Sequence, residues 1–376
     1  MQNFDATDIN HFTKLQAPHC DFDARYVFYY DETNNIKKLH QETGSLNVDL
    51  SGNFILGGLA YKGNVKPDLS NLFVGIGLQP NIKEVKFTHI ANGKFTDCLK
   101  SRKLKMVFER ILNADVYLHF SSLNFLYFSL VDIVDSAVEG SGFSSRIDFG
   151  LNRILKNLVY KICSNEFDKV RTIFYKYDYP NIAEDKVNLF VKEIVEICRP
   201  YLKKPDYKQG LEILIPLLET AANNKSLPFV MDDLSNVWIN GLSAHYMRPI
   251  YTFVNAIHHF DNETDIQKTL SEYKFIVDGK ELKDYDFSDS QADIYTQASD
   301  VLVGFIGKFS KFSNTHSTEQ IEQNIRSLSP LQCENLDLYL DLILKSEDLN
   351  PGFFHAAESD DDREKFRLIL QLRNKI

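Results

Sequence analysis

The amino-acid sequence predicts an α/β protein in which helices pack on a mixed sheet. Two dense apolar and aromatic runs, residues 25–30 and 54–61, are typical of buried strands and predict a hairpin with an enlarged connection. Residues 152–163 repeat apolar side chains at helical spacing, and residues 183–198 do the same. Strands followed by such helices favour a mixed sheet that the helices cover.

The same patterns of apolar spacing predict the remaining elements. Residues 82–90 alternate and predict a strand, as do the apolar runs at 114–125 and 170–180. Asp278-Gly279 predicts a tight hairpin within residues 275–282. The other predictions are a short helix at 68–76, a basic helix at 96–112, a strand at 227–233 and helices at 291–309, 318–327, 331–346 and 362–374.

This order of elements predicts one elaborated domain with additions. Residues 1–24 carry little pattern and are expected to be an N-terminal lead-in, whereas residues 25–310 form the domain. Residues 200–275 are the least regular part and are expected to be a helical insertion. Residues 311–376 are expected to be a helical C-terminal extension.

Composition and charge limit the classes of function. With 44% hydrophobic and 25% charged residues the chain is typical of a folded soluble protein, and no apolar run is long enough to cross a bilayer. A net charge of −10 argues against a protein that coats DNA, but it suits an enzyme that holds cations in a carboxylate cleft. The five cysteines lie singly, which argues against disulfides and a zinc site. The first residues lack a secretory pattern, so the expected location is cytoplasmic.

Two aspartates end apolar runs that are predicted to be strands. Asp31 follows residues 25–30 and Asp178 lies near the end of residues 170–180, so both would lie at the carboxyl edge of the sheet, where open α/β sheets bind ligands. Glu32 should point away from Asp31, because successive strand residues face opposite sides. Ordinary turn chemistry is the alternative for each aspartate.

Two further carboxylates belong to patterned segments. Glu84 and Lys86 share a face of the strand predicted at 82–90, where the lysine would hold the carboxylate ionised and contact a phosphate oxygen. An exposed ion pair is the alternative. Asp300 shares a narrow helix stripe with Gln297 and Gly304, and a glycine there leaves the backbone open to close approach. An ordinary polar flank is the alternative for this stripe.

Taken together, these residues indicate a site for hard cations. Carboxylate oxygens are the ligands that Mg²⁺ and Mn²⁺ prefer. Two such ions can activate an attacking water and stabilise the leaving oxygen of a phosphodiester. The histidine pair His258-His259 near Asp261 is a weaker candidate, because adjacent histidines on a helix would point to different sides.

The motifs, in this order, resemble the domain-of-unknown-function family 3800, whose members are regarded as ribonuclease H-like. The resemblance covers residues 25–310. The segments that carry it are YYDETNN (29–35), FILGGLAY (54–61), EVK (84–86), FYKYD (174–178) and SDSQADIYTQASDVLVG (288–304).

The resemblance implies a fold and a function. The fold would be α/β, a ribonuclease H-like mixed sheet flanked by helices, with a helical insertion and a helical C-terminal extension. The function would be a Mg²⁺- or Mn²⁺-dependent nuclease, or a related phosphodiester-processing enzyme, that acts on DNA or RNA in antiviral defence. The metal ligands and catalytic residues would be Asp31, Glu84, Asp178 and Asp300, with Lys86 also catalytic and with Glu32, Ser288 and Gln297 in support.

The alternative is a catalytically inactive ribonuclease H-like module that recruits nucleic acid or a partner protein to a defence complex. The acidic balance and residues 33–35, which are Thr-Asn-Asn where the family usually has Ser-Gly, favour it. The basic segments 100–105 and 200–208 are either a surface that guides a nucleic-acid strand or ordinary solvated faces. No membrane partner is expected, whereas the C-terminal helices are expected to offer apolar faces for a homo-oligomer.

Overall fold

A six-stranded mixed sheet lies at the centre of the protein in this computed structural model, which describes residues 2–43, 45–288, 291 and 293–376. The strands are β1 (Gln2–Asp5), β2 (Tyr26–Thr33), β3 (Lys38–Glu42), β4 (Ser45–Leu46), β5 (Asn53–Lys62), β6 (Tyr117–Asn124), β7 (Val237–Asn240), β8 (Ile257–Asp261), β9 (Tyr273–Val277), β10 (Lys280–Leu282), β11 (Tyr285–Ser288) and β12 (Phe354–Ala357).

Helices cover both faces of this sheet. They are α1 (Thr7–Gln16), α2 (Phe87–Ile90), α3 (Phe95–Cys98), α4 (Arg102–Asn113), α5 (Phe125–Gly140), α6 (Phe149–Asn165), α7 (Phe167–Lys176), α8 (Val187–Cys198), α9 (Pro205–Asn223), α10 (Ser243–Thr252), α11 (Thr264–Ser271), α12 (Ile294–Thr315), α13 (Thr318–Arg326), α14 (Pro330–Leu349) and α15 (Asp360–Leu372).

The central sheet has the strand order β11-β8-β2-β5-β6-β12. Strands β2, β5 and β6 form an antiparallel meander, in which Asp31 pairs with Gly57. Strand β8 runs parallel to β2, β11 runs parallel to β8, and β12 runs parallel to β6. The carboxyl ends of β2, β8 and β11 therefore meet at one edge of the sheet. Two small three-stranded sheets, β1-β9-β10 and β4-β3-β7, lie beside it.

Each face of β2 packs into a different core. Val27 and Tyr29 belong to the core that α12, α4 and α14 cover, whereas Phe28 and Tyr30 belong to the core that α5, α6, α9 and α10 cover. This division follows from the alternation of side chains along a strand. Because β2 is buried on both faces, it is apolar and aromatic at nearly every position before Asp31.

The predicted additions contribute to the sheets. Residues 200–275 contain β8, a neighbour of β2, and residues 311–376 contain β12, which extends the sheet beyond β6. Residues 1–24 contain β1, which pairs with β9. The C-terminal helices α13, α14 and α15 bury apolar side chains, including Ile321, against the core of α12, so these faces are covered within the chain.

Most strands and helices lie where the sequence predicts them. The strands at 25–30, 54–61 and 114–125 are confirmed as β2, β5 and β6, and the hairpin at 275–282 is confirmed as β9 and β10. Asp278 and Gly279 both have positive φ, as that tight turn requires. The helices predicted at 152–163, 183–198 and beyond residue 290 are confirmed as well.

The strand predicted at 170–180 is wrong, because most of this segment is helix α7. Its buried residues Val170, Ile173 and Phe174 recur at helical spacing, and this period overrides the β-branched and aromatic composition. Asp178 consequently lies in a turn after a helix, with a φ of 60°, and does not end a strand.

Three shorter predictions are also wrong. Residues 68–76 form turns and not a helix, and residues 227–233 form no strand. Residues 82–90 are not a strand either, because they contain helix α2 and an irregular stretch before it. Among the described residues, no helix has both the length and the apolar character needed to cross a membrane.

Candidate active site

Asp31 lies on the face of β2 that helix α12 covers. It is two residues beyond Tyr29, whose backbone carbonyl oxygen accepts a hydrogen bond from the Ser299 hydroxyl of α12 (3.2 Å). The approach is close because Gly58 has no side chain: a Cβ there would lie 2.0 Å from the Ser299 Oγ. The glycine pair in the second strand thus permits the close packing that its sequence indicated.

The segment before α2 lies along the polar stripe of α12. Gln297 accepts the backbone N–H of Val85 through Oε1 (3.0 Å), and Asp300 accepts that of Phe87 through Oδ1 (2.5 Å). One turn further on, a Cβ at Gly304 would lie 2.5 Å from the Phe87 ring, so the glycine admits this ring. The predicted close approach at Gly304 is confirmed. The Val85 and Phe87 amides therefore donate to side chains of α12, whereas in a strand they would donate to a neighbouring strand.

This arrangement brings Glu84, Lys86 and Asp300 together. The Lys86 ammonium pairs with Glu84 and lies 3.5 Å from Oδ2 of Asp300. The Glu84 and Asp300 side chains are 19% and 18% exposed, whereas that of Lys86 is 38% exposed. Lys86 is therefore the member of the group that is most open to solvent.

Asp261 is a carboxylate of this edge that the sequence interpretation did not include. Strands β8 and β2 pair up to Phe260 and Tyr30, and the next residue is Asp261 in β8 and Asp31 in β2. Ser288, at the end of β11, pairs with Asp261. A signal was present, because residues 257–261 are an aromatic and apolar run that ends in Asp, like residues 26–31. Asp261 was missed because His258 and His259 were interpreted as part of a helix, whereas they belong to strand β8.

We call Asp31, Glu84, Lys86, Asp261 and Asp300 the acidic cluster. Burial raises the pKa of Asp31 well above its usual range, and the charges of Asp300, Glu32 and Asp261 raise it further. Oδ1 of Asp31 accepts a hydrogen bond from the backbone N–H of Glu32 (2.7 Å), but the buried Oδ2 has no hydrogen-bond partner in the part of the chain that the structure describes. A buried carboxylate oxygen in this state is costly, and the cluster as a whole favours a cation.

The pKa values of Asp300 and Lys86 are shifted by the same surroundings. Burial raises the pKa of Asp300 and the charge of Glu84 adds to this, although the Phe87 amide and Lys86 oppose it. Burial alone would lower the pKa of Lys86, but the hydrogen bond with Glu84 and the charges of Asp300 and Asp31 outweigh it and raise that pKa. The lysine is therefore held firmly as a cation among carboxylates.

Glu32 points to the opposite face of the sheet, as predicted. Its carboxylate accepts a hydrogen bond from Asn35 (3.3 Å). Burial raises the pKa of Glu32 to about 6, and the charges of Glu263 and Asp261 contribute to the rise. Glu32 is thus a neighbour of the acidic cluster across β2 and not one of the groups that face α12.

Asp178 lies apart from the acidic cluster. Its side chain is 44% exposed, pairs with Lys186 (3.6 Å) and accepts a hydrogen bond from Asn236 (3.4 Å). These partners belong to the layer of α7, α8 and β7. The predicted symmetry between Asp31 and Asp178 is lost because Asp178 follows a helix.

The donor chemistry of the cluster suits a hard divalent cation, since every anionic group is a carboxylate and Asp31 holds an oxygen without a partner. No group of three His, Cys, Asp or Glu residues is positioned as a ready metal site in the part of the chain that the structure describes. The Lys86 ammonium instead lies beside Glu84 and Asp300.

The basic segments have local partners. Lys100 pairs with Asp97, and Lys105 pairs with Glu334. In the second segment the Lys204 ammonium lies 4.2 Å from the centre of the Tyr201 ring and 5.5 Å from that of Tyr207. Local partners of this kind are typical of solvated faces, which were the alternative to a nucleic-acid surface.

Comparisons with known proteins do not assign the chain to a family. No protein-family model, no curated protein and no solved structure matches it.

Proposed function

We propose that the acidic cluster binds Mg²⁺ or Mn²⁺ and that the protein hydrolyses phosphodiester bonds of nucleic acid. The observation that carries the proposal is the buried Asp31 carboxylate, 6% exposed, whose Oδ2 has no hydrogen-bond partner among the described residues. Burial raises its pKa, and the charges of Asp300, Glu32 and Asp261 raise it further, so the group is destabilised as an anion. A divalent cation would relieve this destabilisation, because it attracts all of the carboxylates at once.

We further propose that the central sheet is ribonuclease H-like. The support is its topology: an antiparallel meander of β2, β5 and β6, continued on the other side of β2 by the parallel strands β8 and β11. A fold does not by itself establish an activity, so the function depends on the cluster.

Each member of the cluster has a role in this proposal. Asp31, Glu84, Asp261 and Asp300 hold the cations, and Asp261 takes the place that the sequence interpretation gave to Asp178. Divalent ions held by these four carboxylates would supply the activation of a water molecule and the stabilisation of the leaving oxygen. Lys86, whose side chain is 38% exposed, pairs with a phosphate oxygen of the substrate. Gln297 positions residues 84–87 through the Val85 amide, and Ser288 lies beside Asp261.

Thermal unfolding with and without Mn²⁺ tests the metal site directly. We expect Mn²⁺ to raise the unfolding temperature of the wild type, because a ligand that binds only the folded state stabilises it. Asp31→Asn should abolish the rise, since it removes the negative charge at nearly constant size. Asp178→Asn is the matched control, because it makes the same change outside the cluster, and it should retain the rise.

Cleavage assays on labelled single-stranded DNA, duplex DNA and RNA then test the activity. Cleavage should require Mg²⁺ or Mn²⁺ and should be lost in Asp31→Asn but not in Asp178→Asn. A wild type that shows no Mn²⁺-dependent stabilisation and no cleavage of any of these substrates would refute the proposal.

A second candidate function is a metal-free module that binds nucleic acid or a partner protein of a defence complex. The observation that favours it is the pairing of Lys86 with Glu84 and Asp300, which neutralises part of the cluster without a metal. Nucleic-acid binding that persists in EDTA, without cleavage in Mn²⁺, would support this module over the nuclease.

A further inference from the structure

A small cavity on the other face of the sheet is lined by basic and imidazole groups. Its volume is about 30 Å³, and its polar lining consists of Tyr30, His119, Ser121, His245, Arg248 and His355. The side chains come from β2, β6, α10 and β12, so distant parts of the sequence converge there. Phe28 and Tyr30 of β2 line this cavity, whereas Asp31 faces α12.

Among the described residues no carboxylate lines this cavity, although the chain carries a net charge of −10. Arg248 also lines the cavity, and its charge acts on three other lining residues, Tyr30, His245 and His355. No hydrogen bond or ion pair of its guanidinium is found among the described residues. Burial lowers the pKa of Arg248, as expected for a cation that is removed from water without a counter-ion. A partly buried cation in this situation is stabilised by an anion.

His245 adds a second unsatisfied group. It is 8% exposed, and its Nδ1 is buried without a hydrogen-bond partner. Burial, followed by the charge of Arg248, lowers its pKa to about 4, so the imidazole is neutral at neutral pH and offers one N–H donor. His355 lies on the opposite wall, where its Nδ1 is 3.0 Å from the Ser121 hydroxyl.

We propose that this cavity binds a small oxyanion of the size of a carboxylate group. A cavity of about 10–15 Å³ holds one water molecule, so about 30 Å³ has room for two or three heavy atoms, and a carboxylate group has three. The guanidinium has the fork of parallel N–H donors that matches the two oxygens of a carboxylate. The His245 imidazole supplies an additional donor. The four oxygens of a phosphate group exceed the space.

Calorimetric titration of the full chain with sodium formate tests the proposal. The titration is done in EDTA at an ionic strength held constant with sodium chloride, so the acidic cluster does not contribute. We expect saturable binding by the wild type and binding at least ~10-fold weaker in Arg248→Gln, because the fork and the charge are both lost. The matched control is Arg326→Gln, which removes the same charge from an exposed arginine paired with Glu322, and it should bind like the wild type.

A second variant covers the case in which Arg248→Gln does not fold. Arg248→Lys keeps the charge and removes the fork, so its binding should fall between that of the wild type and that of Arg248→Gln. No saturable binding of formate by the wild type, or equal binding by Arg248→Lys, would overturn the proposal. Sodium phosphate that binds more tightly than formate would overturn the assignment to a carboxylate-sized group. The nuclease proposal is unaffected by any of these results, because it concerns the other face of the sheet.

Discussion

Oδ1 of Asp300 accepts the backbone N–H of Phe87 at 2.5 Å, and this bond ties the start of α2 to the middle of α12. The other carboxylate oxygen, Oδ2, lies 3.5 Å from the Lys86 ammonium. Asp300 therefore hydrogen-bonds the backbone through one oxygen and interacts with the Lys86 ammonium through the other. These two roles can be separated by the choice of substitution.

The first prediction compares two substitutions of Asp300, one that removes the acceptor oxygen and one that keeps it. Asp300→Ala should lower the free energy of unfolding by about 1–3 kcal/mol, because it leaves the Phe87 amide without its acceptor. Asp300→Asn retains an acceptor oxygen and should lose less stability than the alanine variant, while it loses the response to Mn²⁺. Urea unfolding in EDTA measures the stability of both variants. Equal losses in the two variants would show that the bond to Phe87 contributes little.

The second prediction concerns the pH dependence that Asp31 imparts. Its pKa is raised in the folded state, so between the unfolded and the folded pKa the folded protein binds the additional proton. Stability from this group is therefore present below the unfolded pKa and is lost as the pH rises towards the folded pKa, with a slope of at most about 1.4 kcal/mol per pH unit. Asp31→Asn should remove this loss, so the variant should gain stability over the wild type as the pH rises from 4 to 8, a range of about four units.

Denaturant unfolding of both proteins across that pH range, in EDTA, measures the difference. Asp178→Asn serves as the control for a general change in charge. A stability difference between Asp31→Asn and the wild type that does not change with pH would contradict the expectation.

The third prediction concerns the close packing at Gly304. A methyl group there would lie 2.5 Å from the Phe87 ring, so Gly304→Ala should lower the free energy of unfolding by about 1–3 kcal/mol through overpacking. Gly150→Ala, in helix α6, is the matched control, because the nearest atom to its added methyl group lies 3.2 Å away on the Asp148 side chain. Thermal unfolding compares the two variants, and the control should lose less stability. A harmless Gly304→Ala would argue against close contact between Phe87 and α12.

The fourth prediction uses Lys86 to test where a cation binds. Lys86 lies beside Glu84 and Asp300, so its ammonium competes with a divalent cation for the same carboxylates. Lys86→Gln should bind Mn²⁺ more tightly, on the order of 10-fold, because a nearby like charge is removed. Calorimetric titration with MnCl₂ measures the affinity, and Lys100→Gln, on the exposed pair with Asp97, is the control. Unchanged affinity in Lys86→Gln would place any bound cation away from this lysine.

The fifth prediction distinguishes Asp261 from Asp178 in catalysis. If the cluster cleaves nucleic acid, Asp261→Asn should lower the rate about 100-fold or more, because a carboxylate at the metal site is lost. Asp178→Asn should leave the rate unchanged. The rates of both variants and the wild type are measured by single-turnover cleavage in Mn²⁺, and circular dichroism verifies that each protein is folded. A loss of activity in Asp178→Asn alone would restore the original assignment.

Most strands, helices and tight turns of the protein could be predicted from short stretches of its sequence. Dense apolar and aromatic runs predicted β2 and β5, helical spacing predicted α6 and α12, and Asp278-Gly279 predicted the turn between β9 and β10. The stripe of Gln297, Asp300 and Gly304 on α12 was also a local property, because the positions of side chains around one helix follow from its period alone.

Which side chains from distant segments lie close together depends on the tertiary fold. Strand pairing placed Asp261 of β8 next to Asp31 and left Asp178 in a different layer, and nothing in either local sequence specifies that choice of partner. The same applies to Arg248 of α10 and His355 of β12, which are 107 positions apart in the chain and line one cavity. The physical reason is that local propensity depends on near neighbours in sequence, whereas strand order and burial depend on how the whole chain covers its apolar surface.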